Sequence, residues 1–331
     1  MSFEDKINIS VPYEVKQRLE EDASLFEVFK KDGETINRND FINRLIYGYY
    51  TKYVEQQSEI AKDIFDVVLD EQLTAEVLDV LDKHRKREYL SGRDTHAQII
   101  SLKPTRKTKG IIHKIAQSTT ATHSESVAVT LKKMFISYLA EPLYMRERYI
   151  FKDTYETVKT ACREGLQISI RLRHSMDIEH SVLPYRVSVG EERSNYLLCQ
   201  EWNDYLNKDV PCTFRISRIM SVIPERKTMT FSKRVVANLD KMADRSPAYP
   251  ISRDSLIRVR MSPDAEALYK KIVFNRPRYT ERDGNIYTFD CSFSQAYQYF
   301  SRLPGVTILE PESLSKRLIE FHKNALESLD I

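Results

Sequence analysis

The N-terminal stretch Lys6-Ile7-Asn8-Ile9-Ser10-Val11 alternates polar and apolar side chains, and Pro12 follows it. Alternation with period 2 is typical of a β-strand with one buried face. From Tyr13 the apolar residues fall at helical spacing, a break at Asp32-Gly33 interrupts them, and a second helical pattern runs through Tyr49. The sequence therefore predicts a strand, a helix, a turn and a helix as the first unit of the chain.

A second unit with the same order of elements begins about 90 residues later. The strand pattern Ile99-Ile100-Ser101-Leu102-Lys103 precedes a helix through Ile112, a Ser/Thr-rich turn and a helix through Leu131. The amphipathic stretch between Tyr53 and Lys83 predicts one or two connecting helices. Both units resemble the ribbon-helix-helix fold, in which two short strands pair antiparallel and four helices form the core. One such unit cannot bury its apolar face alone, so residues 1–150 are predicted to form an internal pseudo-dimer.

The charge of the chain is distributed unevenly over these two units. Residues 1–80 contain 9 Lys and Arg against 18 Asp and Glu, whereas residues 81–160 contain 16 against 8. Opposite net charges favour pairing of the two units, or contact of phosphate with the second unit alone.

The rest of the chain predicts a β-rich domain followed by an α+β domain. After a helix from Tyr155 to Glu164, five short strands are separated by polar turns, as in a small β-barrel. These strands are predicted near residues 167–173, 181–189, 196–202, 210–216 and 220–223. A helix from Phe231 to Ala243 and a Pro-containing linker then lead to a strand-helix-hairpin-helix-strand order with a final helix, which is ferredoxin-like.

The predicted fold class is therefore α+β with three domains. Residues 1–150 form the mostly helical ribbon-helix-helix region, and residues 151–245 form a small SH3/Sm-like β-barrel with flanking helices. Residues 246–331 form the ferredoxin-like domain.

Composition and motifs argue against several functional classes. The N-terminus is charged where a secretory signal needs an apolar core, and no stretch approaches the roughly 18 apolar residues of a membrane helix, which predicts a cytoplasmic protein without a membrane partner. Four widely spaced cysteines predict buried thiols rather than a metal site. Because no HExxH motif, Gly-rich phosphate loop or GxSxG motif occurs, we expect no catalytic residues and no cofactor. The alternative is a metal-free nuclease that uses His113 and His123.

Two stretches of the predicted barrel, Asn195-Tyr196-Leu197 and Thr213-Phe214-Arg215-Ile216-Ser217-Arg218-Ile219, are similar to the signature stretches of WYL domains. The strand entry Val182-Leu183-Pro184 matches the position of that family's proline. The segment from Gly305 to Leu314 resembles the domain that commonly follows WYL domains. The resemblance covers the C-terminal half of the chain, with Asn195 in place of the family's tryptophan.

The resemblance implies that a basic patch on the barrel binds a ligand, often a single-stranded nucleic acid, and signals to an attached DNA-binding module. Arg215 and Arg218 match the family's basic positions. Strand spacing adds Arg171, Arg173 and Arg186, and it predicts that Arg171 and Arg173 project to one face of a strand. Tyr185 and Tyr196 could add a surface on which bases stack. The alternatives are a solvated barrel face for the arginines and a core position for Tyr196.

The ribbon and a basic cluster supply further candidates for nucleic-acid contacts. Ribbon-helix-helix proteins insert the solvent face of the ribbon into the major groove. In this sequence that face carries Lys6, Asn8, Ser10, Ser101 and Lys103. The densest basic cluster joins the run from Lys83 to Arg87 with Arg106, Lys107 and Lys109. The alternatives are that the ribbon has kept its fold for packing alone and that the cluster is a solvated surface.

Two functions follow from these resemblances. A ribbon-helix-helix front, a WYL barrel and a dimerising C-terminal domain are the layout of accessory proteins encoded beside type VI-D CRISPR RNA nucleases, which implies binding of single-stranded RNA, or DNA, and enhancement of an RNA-guided nuclease. The alternative is a transcriptional repressor that reads operator DNA with its ribbon and senses a ligand with its barrel. Both predict a homodimer through the C-terminal domain.

Overall fold

The structure, a computed structural model, describes residues 6–70, 72–74, 76–78, 80–81, 97–122, 126–204, 206–228, 230–249 and 256–328. Contacts divide the chain into two units, Met1–Lys152 and Asp153–Ile331, which we call the helical unit and the sheet unit. The further division of the sheet unit at residue 245 stays a prediction. Helices and antiparallel sheets occur together, which confirms a mixed α and β composition.

Two strands and five helices of the helical unit have both ends among its described residues. Strand β1 (Ile7–Pro12) is followed by α1 (Tyr13–Leu25) and α2 (Arg38–Val68), and strand β2 (Ala97–Leu102) is followed by α3 (Arg106–Thr122) and α4 (Val127–Ala140). The short helix α5 (Leu143–Ile150) completes the unit. The predicted order of strand, helix and helix is therefore present twice.

The two strands of the helical unit pair antiparallel as a two-stranded ribbon. Ile9 lies opposite Ile100, and Asn8 lies opposite Ser101. Ile9, Val11 and Leu102 are buried on the inner face, where they contact the helices. The alternation that predicted each strand therefore also fixes which side of the ribbon faces the core.

Helix α2 differs from the sequence-based expectation because it continues without interruption from Arg38 to Val68. The prediction of separate connecting helices from Tyr53 is wrong for this segment, since no Pro or Gly interrupts the backbone after Gly48. Its buried side chains end at Tyr53, so the C-terminal half of α2 is amphipathic but does not contribute to the core. The described residues between 72 and 81 are also helical.

Helix α6 (Lys152–Glu164) begins at the last residue of the helical unit and otherwise belongs to the sheet unit, where a five-stranded antiparallel sheet follows it. The strands are β3 (Leu166–Leu172), β4 (Ser175–Val189), β5 (Asn195–Asn203), β6 (Lys208–Arg215) and β7 (Ile219–Thr228), in the spatial order β6-β5-β4-β3-β7. A 3₁₀ turn (Ile216–Arg218) joins β6 to β7. Helix α7 (Lys233–Arg245) packs on the sheet through Val235, Leu239 and Met242.

The predicted closed barrel is not formed by the strands that the structure describes. Strands β6 and β7 are the two edges of the sheet and have no pairing with each other in the described part of the chain. The 3₁₀ turn between them ends β6 at Arg215 and redirects the chain, so that β7 pairs with β3 at the far edge. The result is an open sheet with a basic turn at one end.

The C-terminal part of the sheet unit has the predicted βαββαβ order. It consists of β8 (Ile257–Met261), α8 (Pro263–Lys271), β9 (Tyr279–Asp283), β10 (Ile286–Phe289), α9 (Phe293–Phe300), β11 (Val306–Glu310) and a last helix, α10 (Glu312–Glu327). The sheet order is β11-β8-β10-β9, and all pairs are antiparallel. Apolar side chains from both helices and the central strands form one core, which includes Val259, Tyr269, Phe289 and Phe300.

Candidate nucleic-acid interface

Two turns of the five-stranded sheet meet at one end of β3. The backbone N–H of Arg173, in the turn after β3, donates a hydrogen bond to the carbonyl oxygen of Arg218 at 3.0 Å. Arg218 ends the 3₁₀ turn, and its side chain is exposed. The hydrogen bond therefore brings together two of the arginines that the sequence selected.

The residues around Arg218 differ in their exposure. Arg215, the last residue of β6, is only 9% exposed, and Ser217 is fully buried. Arg215 lies opposite Tyr196 across the β5–β6 pair. Arg173 is half-buried. Arg218 is therefore the outermost of these three arginines, whereas Arg215 belongs to the supporting layer.

The linker after α7 carries an aromatic residue, Tyr249, that is held near the sheet. The hydroxyl of Thr213 on β6 donates to the carbonyl oxygen of Pro247 at 2.6 Å, which ties the linker to the sheet. Two residues later, the hydroxyl of Tyr249 donates to Gln298 Oε1 at 2.6 Å. These two bonds hold Tyr249 between the sheet and helix α9.

The electrostatic environment of Tyr249 identifies its charged neighbours. Burial raises the pKa of the Tyr249 phenol, and the positive charges of Arg302 and Arg218 act in the opposite direction. Glu192 contributes the one negative charge that acts on this phenol in the described part of the chain. We call the set Arg173, Arg215, Arg218, Tyr249 and Arg302 the arginine edge. Tyr249 and Arg302 carried no signal in the sequence, because only tertiary contacts bring them to Arg218.

Arg171 and Arg186 lie outside the arginine edge and are paired with acidic residues. Arg171 donates from Nε and Nη2 to Glu179 Oε2, at 3.0 and 2.6 Å, and these bonds hold the pKa of Glu179 below its ordinary value. Arg186 contacts Asp244 at 3.7 Å. The expectation that Arg171 and Arg173 share a strand face is wrong, because β3 ends at Leu172 with a register shift and Arg173 belongs to the turn.

The two predicted stacking tyrosines have packing roles. Tyr185 donates its hydroxyl to Asp240 on α7 at 2.8 Å and packs edge-on against Phe231, with ring centres 5.3 Å apart. Tyr196 is buried in the sheet, which is the core alternative for this residue. Tyr185 therefore attaches α7 to the sheet, and its stacking on a base stays a prediction.

The ribbon of the helical unit presents the predicted row of polar side chains. Lys6, Asn8, Ser10, Ser101 and Lys103 are all exposed. Ser10 lies opposite Ile99, which is 63% exposed and is the apolar member of this face. The chain after β2 is fixed to α2, because the N–H of Lys103 donates to Asn39 Oδ1 at 2.8 Å.

The basic cluster is described in part. Arg106, Lys107 and Lys109 lie exposed in the first turn of α3. The run from Lys83 to Arg87, predicted to belong to the same cluster, lies outside the described residues. The ammonium of Lys107 rests 4.6 Å from the ring centre of Tyr47.

The side chains that could bind a metal ion are dispersed in the described part of the chain. No group of three or more His, Cys, Asp and Glu side chains among them could hold a metal ion. All four cysteines are free thiols, two buried and two half-buried. His113 contacts Gln117 at 3.1 Å, and His123 lies outside the described residues. Within the described part of the chain, no helix is both long and apolar enough to span a membrane.

The arrangement of helices and sheets defines a two-unit α+β protein. Neither the protein-family models nor the curated proteins include a match to this sequence. One solved structure, described as a CRISPR Cas-related protein, aligns with a TM-score of 0.68 over 98% of this chain and 94% of that chain, at 16% identity. At that identity the likeness shows a common fold over nearly the full length. A second, the proteasome accessory factor B/C of Arthrobacter aurescens, aligns with a TM-score of 0.24 over 71% of this chain and 39% of that chain, at 16% identity.

Proposed function

We propose that this protein is a nucleic-acid-binding accessory factor of a CRISPR system. In this proposal it binds single-stranded RNA at the arginine edge and enhances a type VI-D RNA-guided RNA nuclease, and it is not itself an enzyme. The common fold with a protein described as CRISPR Cas-related supports the association. The similarity of the β5 and β6–β7 stretches to WYL domains, and of the helical unit to ribbon-helix-helix proteins, supports the binding role.

The observation that carries the proposal is that Tyr249, which hydrogen bonds hold between the sheet and α9, lies within electrostatic range of two exposed arginines, Arg218 and Arg302. A guanidinium can contact a phosphate at two points and can also stack on a base. A half-exposed phenol within electrostatic range of two such groups offers a stacking face with phosphate contacts nearby. This combination is typical of single-strand binding with little sequence preference.

The proposal is tested by fluorescence anisotropy with a labelled single-stranded RNA at several salt concentrations. The double variant Arg218→Ala, Arg302→Ala is expected to bind at least about tenfold more weakly, with a salt dependence reduced by about 1.4 in log–log slope for two lost phosphate contacts. Arg234→Ala, Arg260→Ala is the matched control, because it removes the same charge from exposed positions elsewhere in the sheet unit. Equal weakening in both variants would overturn the assignment of the arginine edge.

The accessory role has its own measurement. Target-activated RNA cleavage by a type VI-D nuclease is measured with and without the protein. Stimulation by the native chain and its loss with Arg218→Ala, Arg302→Ala are expected. RNA binding without stimulation would leave the RNA interface in place and contradict the CRISPR role.

The alternative function is a repressor that reads operator DNA, and the observation that supports it is the exposed row of polar side chains on the ribbon. Asn8 and Ser101 lie side by side on that face, with Lys6 and Lys103 beyond them. Duplex DNA binding that survives Arg218→Ala but is lost with Lys6→Ala would favour this function over the first. With either function we propose that the protein forms a homodimer through residues 246–331. Light scattering over a range of protein concentrations measures this oligomeric state.

A further inference from the structure

Two lysines from different helices converge on one aromatic ring of the helical unit. Tyr47 lies half-buried on α2. The ammonium of Lys107 on α3 lies 4.6 Å from its ring centre, and that of Lys152, the first residue of α6, lies 5.8 Å from it. Both contacts are within the range of a cation–π interaction. The ring therefore lies within cation–π distance of two positive charges.

The position of Lys107 is set by a buried asparagine one helical turn before Tyr47. Asn43 Nδ2 donates to the carbonyl oxygen of Lys103 at 3.1 Å, and Asn43 Oδ1 accepts from the N–H of Thr105 at 2.9 Å. The hydroxyl of Thr108 donates to the same oxygen at 2.5 Å. These bonds fix the start of α3 against α2. Since residues four apart share a helix face, Tyr47 lies beside the start of α3 as well.

The position of Lys152 is set by a close approach of two backbones. Gly48 has no side chain, and the backbone carbonyl oxygen of Tyr149 occupies the space that a Cβ would need. Helix α5 therefore crosses α2 next to Tyr47, and the chain reaches Lys152 three residues later. The two lysines owe their positions to rigid parts of the core rather than to surface loops.

The surroundings of Lys107 increase the positive charge. Residues 95–124 include five Lys and Arg and no Asp or Glu. Arg106, Lys107 and Lys109 lie in the first turn of α3, where cations oppose the helix dipole. This excess of positive charge favours phosphate contacts at the start of α3.

We propose that Lys107 and Lys152, ordered by Tyr47, bind phosphate groups of a polynucleotide backbone. This interface belongs to the helical unit and is separate from the arginine edge, so it does not depend on the proposed RNA site. The ammonium groups act as point charges and read no base edges. Tyr47 orders the two side chains, which lowers the entropy cost of fixing them on the ligand. RNA and DNA backbones share this chemistry.

The test uses the full chain and labelled oligonucleotides of one sequence as single-stranded RNA, single-stranded DNA and duplex DNA. Lys107→Gln, Lys152→Gln is expected to weaken binding of at least one of the three by about tenfold and to reduce the salt slope by about 1.4 for a single strand or about 1.8 for a duplex. Lys31→Gln, Lys62→Gln is the matched control, because it removes two exposed lysines from other parts of the same unit. Tyr47→Leu keeps both charges and is expected to weaken binding about threefold by releasing them.

The outcomes are distinguishable. If the Lys107, Lys152 variant binds all three oligonucleotides like the control variant, the proposal is overturned. A loss of affinity for only one of the oligonucleotides supports the proposal and identifies which backbone these lysines bind. If Arg218→Ala, Arg302→Ala has no effect while the lysine variant weakens binding, the arginine edge fails and this interface stands. Circular dichroism with native unfolding curves shows that a loss of binding is not a loss of fold.

Discussion

Gly48 on α2 lies directly against the backbone carbonyl of Tyr149 on α5, so that a side chain at position 48 would overlap that carbonyl. The ring of Tyr149 packs on the neighbouring Tyr49, with ring centres 4.8 Å apart. Tyr49 is fully buried and joins a polar group of Gln56 and Ser137 through its hydroxyl. The close approach of α2 and α5 therefore supports a large part of the helical core.

Gly48→Ala is expected to destabilise the helical unit by more than about 3 kcal/mol, because the obstacle is backbone and cannot change rotamer. Gly110→Ala on α3 is the control. A Cβ there meets nothing within 4 Å, so this change should stabilise by about 0.5–1 kcal/mol through helix propensity. Urea unfolding followed by circular dichroism measures both. Similar free energies of unfolding for the two variants would contradict the close packing.

Asn43→Ala is expected to lower the free energy of unfolding by about 3 kcal/mol. The change removes a buried amide that accepts hydrogen bonds from Thr105 and Thr108 and donates to two carbonyl oxygens. Asn37→Ala, which removes only the N-cap bond to the N–H of Asp40, should cost about 1 kcal/mol. Unfolding free energies measure the difference. An equal cost for both variants would mean that Asn43 does not join α2 to α3.

Asp22 gives the helical unit a defined pH dependence. It is buried beside Arg146, with Oδ2 to Nη1 at 2.5 Å, and burial raises its pKa from 3.8 to about 6. The native state therefore holds more protons than the unfolded chain between these values, so the contribution of Asp22 to stability falls as the pH rises through this window. From about pH 4 to about pH 7 the unfolding free energy of the native protein should fall relative to Asp22→Asn by about 3 kcal/mol.

Urea unfolding at several pH values measures this difference, in which other titrating groups cancel. Asp32→Asn is the control with the opposite sign. Hydrogen bonds from Thr35 and Glu34 hold the pKa of exposed Asp32 below 3.8, so its contribution to stability rises with pH. A pH-independent difference for Asp22→Asn would contradict the burial of this carboxyl as an ionisable group.

Tyr185→Phe is expected to lower the stability of the sheet unit by about 1 kcal/mol, through loss of the hydrogen bond to Asp240, and to leave RNA affinity unchanged. That bond also raises the pKa of the Tyr185 phenol, because it favours the protonated hydroxyl. Unfolding and anisotropy measurements on the same preparation check both statements. A loss of RNA affinity at unchanged stability would mean that the Tyr185 hydroxyl takes part in RNA binding.

The sequence predicted those features that depend on local periodicity. Alternation in β1 and β2 gave both strands and their exposed row, because a strand with one buried face has only one register that keeps Ile9 inside. The βαββαβ order of the C-terminal part was visible for the same reason. The prediction of a closed barrel was wrong for the described strands. Closure depends on whether β6 and β7 pair, and the turn at Ile216–Arg218 separates them.

The candidate site was predictable only in part. Arg218 was selected through a family resemblance. Tyr249 is positioned by the hydrogen bonds of Thr213 and Gln298, and Arg302 acts on Tyr249 only in the folded chain, so the spacing of residues predicts neither. Arg171 was selected because strand spacing gives the direction of a side chain but not its partner, and Glu179 lies across the strand pair from it.

The ribbon of β1 and β2 is made from a single chain, and this has a consequence for assembly. The effective concentration of one strand around the other is set by the connecting polypeptide, so the ribbon stays closed at any dilution of the protein. Its two strands are also free to differ, as Ser10 opposite Ile99 illustrates. A duplex bound by such a ribbon would not need a palindromic sequence, because the surface that reads it lacks two-fold symmetry.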